Sequence, residues 1–138
     1  MKRTLRWCAG VVAGCLTAVA LAIVAALLAR TAWPAYAAAV PTKAYSLPML
    51  LVRLVVGGLC TAGGACVATR IVRDARMAGW WIGGLFLALA LPNHLLRVWA
   101  DYPVWYHVVF LTYLVPVAGI AGQAAFEGAS AGRRTRGV

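Results

Sequence analysis

Apolar and polar positions fall along this chain in long blocks rather than in the short periods of a water-soluble fold. Four apolar runs, about 7–29, 47–69, 77–96 and 104–123, are separated by short polar or proline-bearing stretches. A run of about 20 apolar residues matches the hydrocarbon thickness of a bilayer when coiled as a helix. Backbone in lipid must also close its own hydrogen bonds, which a helix does. The pattern predicts an all-α, polytopic membrane protein: one domain of four transmembrane helices in a bundle. Between the first two spans, Pro34 and Pro41 discourage continuous helix, and Trp33, Tyr36 and Tyr45 suit a membrane–water interface. The tail over 127–138 is rich in Gly, Ser and Arg and is expected to be disordered.

Composition agrees with a bilayer as solvent. Of the 138 residues, 64% are hydrophobic and 12% charged, about half the charged share of a soluble domain. The formal net charge of +10 could suggest nucleic acid. No zinc-finger, helix-turn-helix or RNA-binding signature accompanies it, and the positions of the charges explain them better. Nine basic residues (Lys2, Arg3, Arg6, Arg70, Arg73, Arg76, Arg133, Arg134, Arg136) flank the spans on one side, whereas Arg30, Lys43 and Arg97 lie on the other. The positive-inside rule then places both termini in the cytoplasm and the loops 31–46 and 97–103 outside.

Span one has two features of a processed leader. It follows a basic N-terminus, and Val12-Ala13-Gly14-Cys15 resembles a lipoprotein cleavage box. Its apolar core is longer than a signal peptide's 7–15 residues, and the apolar run continues from Leu16 to Ala29 without a polar tether. An uncleaved span is expected. Cys8, Cys15, Cys60 and Cys66 all fall inside spans with no CxxC pair, so they read as small apolar fillers. Gly10, Gly14, Ala18, Ala22 and Ala26 form a small-residue stripe on span one, and Gly79 and Gly83 form a GxxxG pair on span three. Such faces permit close helix approach in lipid, within the chain or against a partner or second copy.

Ionisable groups inside spans are costly and therefore informative. Arg53 lies six residues into span two, about 9 Å along a helix. The topology brings Arg53, Asn93, His94, Arg97, Asp101, Tyr106 and His107 to one level near the outer face. Asp101 is the only acid on that side and is the expected counter-ion of Arg53 or Arg97. Asn93 or His94 is placed to satisfy the carbonyl that Pro92 frees. Snorkelling arginines and interfacial aromatic residues explain the cluster structurally. Two functional readings compete with that one. His94 and His107 could ligate haem or a metal ion. Alternatively, Arg53 and Arg97 could hold an anionic lipid headgroup, with His107 available for proton transfer. No carboxylate lies mid-span, which argues against a small proton-coupled multidrug transporter. No HExxH, phosphate loop or nucleophile triad is present, so no catalytic residue is assigned.

The stretch Trp99-Ala100-Asp101-Tyr102-Pro103-Val104-Trp105-Tyr106-His107, continuing to Pro116, resembles a pattern in short four-span inner-membrane proteins of bacteria that carry no assigned activity. The resemblance implies a bacterial inner-membrane setting and no substrate. Together these readings favour a non-enzymatic accessory or interaction subunit that contacts membrane lipids. Haem, metal or headgroup binding at the outer cluster is the alternative.

Overall fold

The computed structural model describes residues 2–72 and 77–134, with side chains for 3–72 and 77–130. Arg73, Asp74 and Arg76 of the middle turn, and Arg136 of the tail, lie outside the described residues. The chain is all-helical: α1 (Lys2–Ala32), α2 (Pro34–Thr42), α3 (Leu47–Val72), α4 (Ala78–Leu96), a 3-10 turn (Trp99–Asp101) and α5 (Val104–Arg134). α1, α3, α4 and α5 are long and apolar enough to cross a membrane. The protein is a multi-pass membrane protein.

Two expectations need correction. The segment between the first two spans is not a loop throughout, because it contains α2. Pro34 sits at the start of that helix, where its missing N–H has no partner to lose. Pro41 falls next to its end, and the alanines between them favour helix. Lys43 stops it in a left-handed conformation, φ 58°. Tyr36 and Ala39 of α2 pack with Met49 of α3, against Ala29 and Trp33. The second correction concerns the tail, which is helical as far as Arg134. It extends a helix already nucleated in the span, is rich in alanine, and returns the Ser130 hydroxyl to the Phe126 carbonyl at 2.9 Å. Residues 135–138 lie outside the description.

α3 is the shared helix. α1 packs along one side of it, while α4 and α5 pack on each other and on its other side. Water cannot drive helices together inside lipid, so the contacts rely on close backbone approach. The small-residue stripes supply it within the chain. A side-chain carbon at Gly14 would lie 2.7 Å from the Gly64 carbonyl oxygen of α3. One at Gly79 would lie 2.5 Å from the Ala118 carbonyl oxygen of α5, and one at Gly83 2.8 Å from the Val115 backbone. The opposite face of α1 is apolar and open, with Leu16 65% and Leu28 62% exposed.

These contacts separate two glycines of α4. Gly79→Leu must push α4 away from α5 and should cost about 1–3 kcal/mol or more by overpacking. Gly84 has open space beside it, so Gly84→Ala should be neutral or gain up to about 1 kcal/mol from helix propensity. Thermal unfolding of both variants in mild detergent checks the difference.

Candidate functional site

The α2 end of the bundle carries the polar chemistry. Arg53 enters it from α3, one and a half turns below the start of that helix. Its guanidinium donates to the Tyr36 hydroxyl of α2 at 2.7 Å and to the Tyr102 hydroxyl at 3.0 Å. It also lies over the rings of Tyr45 and Tyr102, 4.9 and 5.3 Å from their centroids, a favourable position for a cation against an aromatic face. Among the described residues no carboxylate reaches it, and its Nε is buried without a hydrogen-bond partner. Among the described residues the charge is therefore met by phenol hydroxyls and ring faces. Burial pushes the Tyr102 phenol up to about 12, against the opposing pull of the Arg53 charge. Tyr102 is neutral at physiological pH and can accept from Arg53.

Beside this group lies a histidine pair. His94 of α4 and His107 of α5 approach Nδ1 to Nδ1 at 2.8 Å, both buried. The second ring nitrogen of His107 meets the Trp99 carbonyl at 3.2 Å. Ring stacking fixes both: Trp99 on His107 at 4.8 Å and Phe110 on His94 at 4.6 Å. This geometry does not fit a haem. Two imidazoles that held one haem would have to face the iron from opposite sides, so their ligating nitrogens could not also touch each other. Here the nitrogens touch each other and the rings meet edge to face. Among the described residues no three His, Cys, Asp or Glu side chains gather as metal ligands either.

Arg53 and His94 share one cavity of about 310 Å³. Its polar end holds Arg53, Asn93, His94, Tyr36 and Tyr102, and Tyr106 and Phe110 continue the wall down α5. The facing wall is α1, which presents Ala22, Ala25, Ala26 and Ala29. The two walls meet at α3, where Gly57 and Cys60 lie one and two turns below Arg53. The space is thus polar at the α2 end and apolar deeper in, the profile of an amphiphile.

The sequence-predicted cluster divides in three. Arg53, Asn93, His94 and Tyr106 line the cavity. His107 stands behind His94 and holds it. Arg97 and Asp101 are outside this group. Arg97 is exposed, and Asp101 forms a surface ion pair with Lys43 at 2.8 Å. Asp101 is therefore the counter-ion of neither arginine, because Lys43, at the left-handed end of α2, takes it. His94 serves His107 rather than the carbonyl freed by Pro92. Sequence reasoning took Tyr36 and Tyr45 for interface residues and gave Tyr102 no role. Without α2, nothing in the sequence aimed the two loop tyrosines at Arg53. Tyr113 of α5 donates its hydroxyl to the Leu54 carbonyl at 2.8 Å.

Double-mutant cycles test the reassigned partners. Arg53→Gln and Tyr102→Phe should be non-additive, with a coupling of about 0.5–3 kcal/mol. Arg53→Gln and Asp101→Ala should add, and Asp101→Ala alone should cost less than about 1 kcal/mol, as exposed pairs do. Chemical unfolding in detergent measures both. Tyr102 also predicts an alkaline limb. Its folded value lies above the ordinary value of about 10, so its contribution is intact below that pH and is lost as pH rises toward about 12. A tyrosinate absorbance titration should lose one late-titrating phenol in Tyr102→Phe.

Compared with known proteins, the chain matches no family model, no curated protein and no solved structure, so a functional reading rests on the chemistry of the cavity.

Proposed function

We propose that this chain is a small, non-catalytic protein of the bacterial inner membrane, with both termini in the cytoplasm, that binds the anionic headgroup of a membrane lipid near the outer face. One observation carries the reading. Arg53 holds a positive charge inside the span region with no carboxylate among its described neighbours, and it lines a cavity that is polar at one end and apolar at the other. A half-buried cation inside the span region without an anion is expensive, and a headgroup phosphate is the anion most available at that depth. The orientation draws on the sorting of basic residues, and the setting on the Trp99–His107 resemblance. An accessory-subunit role has less support, because the small-residue faces that would favour a partner are used between α1 and α3 and between α4 and α5.

The test is thermal unfolding in lipid nanodiscs of phosphatidylcholine, with and without phosphatidylglycerol. The anionic lipid should raise the midpoint by a few degrees, as a ligand near 100-fold over its Kd adds about 2.7 kcal/mol. Arg53→Gln should lose that increment, and Arg53→Lys should keep part of it. Equal midpoints in phosphatidylcholine alone, with phosphatidylglycerol and with phosphatidic acid would overturn the reading.

A further inference from the structure

The hydrogen bonds of the two histidines run in one direction, and that direction sets what the cavity can accept. The Trp99 carbonyl only accepts, so the nitrogen facing it, His107 Nε2, carries a proton. With the cavity empty, a further cation beside Arg53 would find no counter-anion among the described residues, which favours both rings neutral. Neutral His107 then has a bare Nδ1, and the 2.8 Å contact requires His94 to donate from its own Nδ1. Neutral His94 therefore has no proton on Nε2. His94 lines the cavity, and with Nδ1 engaged by His107 the nitrogen left to meet a ligand there is Nε2. The site thus offers an anion two unlike partners: a guanidinium that donates, and an imidazole nitrogen that accepts.

A carboxylate or a simple phosphate diester brings only acceptor oxygens and would set a lone pair against Nε2. A phosphate monoester differs. Its second ionisation lies near pH 6, so close to neutrality it holds or readily regains one P–OH. Its charged oxygens can accept from Arg53 while that hydroxyl donates to His94 Nε2. Resting on the headgroup reading above, we infer that the ligand is a phosphate monoester, with His94 as the residue that selects it and His107 and Trp99 holding His94 in the required tautomer. The proton balance closes simply. The monoanion binds with its own proton, which then lies between a phosphate oxygen and Nε2, and no bond to phosphorus changes.

Four probes separate the possibilities in nanodiscs: phosphatidylcholine alone, dioleoylphosphatidylmethanol (a diester with no hydroxyl on its head), dioleoylphosphatidic acid (a monoester), and inorganic phosphate added to the solution. Binding is read as lipid retention by native mass spectrometry and as the shift in unfolding midpoint. Phosphatidic acid should bind at least about tenfold more tightly than phosphatidylmethanol, the scale on which a lost hydrogen bond to a charged partner registers. His94→Phe, which keeps a ring for Phe110 to stack on, should bind both lipids alike. Equal binding of the two anionic lipids by the wild-type protein would overturn the monoester assignment while leaving headgroup binding intact. Binding of neither would overturn headgroup binding itself. A preference that survives His94→Phe would overturn the role of His94. Inorganic phosphate that displaces phosphatidic acid at equal concentration would support the monoester chemistry and assign it to a soluble ligand. If His94→Phe does not fold, the wild-type comparison alone still decides the ligand class.

Discussion

A guanidinium placed one and a half turns inside a membrane helix is the constraint from which the α2 end of this protein follows. Removing a charge from water costs several kcal/mol even after relaxation, and the chain recovers part of that cost through three separate segments. Tyr36 reaches Arg53 from α2, Tyr45 from the connection after it, and Tyr102 from the turn before α5. Each must be held in place for the others to be useful. α2 docks on α1 and α3 through Tyr36, Ala39 and Met49, the Lys43–Asp101 pair ties the end of α2 to the turn before α5, and the Tyr45 and Tyr102 rings stack at 5.7 Å. The short connections are thus ordered around a charge as well as by the apolar cluster that docks α2.

Deeper in the bundle, the same chain solves a different problem with the smallest side chains. Glycines let α1 approach α3 and α4 approach α5 until backbone meets backbone. The stripe that makes this possible on α1 changes use along its length. At Gly10 and Gly14 it touches α3, whereas at Ala22, Ala26 and the neighbouring Ala25 and Ala29 it borders empty space. The cavity is lined by methyl groups of α1 on one side and by phenols on the other.

Much of the fold could be read from the chain because it depends on local quantities. Length and polarity of each apolar run gave four helices, and glycine spacing marked faces able to approach closely, which the structure uses within the chain. The corrections concern cases where two local signals opposed each other. Pro34 and Pro41 argued for a loop, yet one is at a helix start and the other near its end, where proline costs little. Gly and Ser argued for a frayed tail, yet alanines and a preceding span carry the helix through them. The site was half legible. Depth alone placed Arg53, His94, Tyr106 and His107 at one level. Which residue pairs with which depends on rotation about the helix axes and on α2, so the pairing of Asp101 with Lys43 and the phenol ring around Arg53 were beyond reach.

The membrane helices also differ in length in a way that affects the bilayer. α4 has 19 residues and α1 and α5 have 31 each, or about 28 Å against about 46 Å of helix. The hydrocarbon core is about 30 Å thick, so α4 only just crosses it, whereas the longer helices must tilt or project. The lipid next to α4 has to adapt to the shortest wall, and hydrophobic mismatch there is relieved by local thinning. Asn93 and His94, in the last turn of α4, lie where such thinning would draw the headgroup layer inward. Bilayer thickness thereby sets how deeply the mouth of the cavity sits, so the same chain would present its polar end differently to thin and thick membranes.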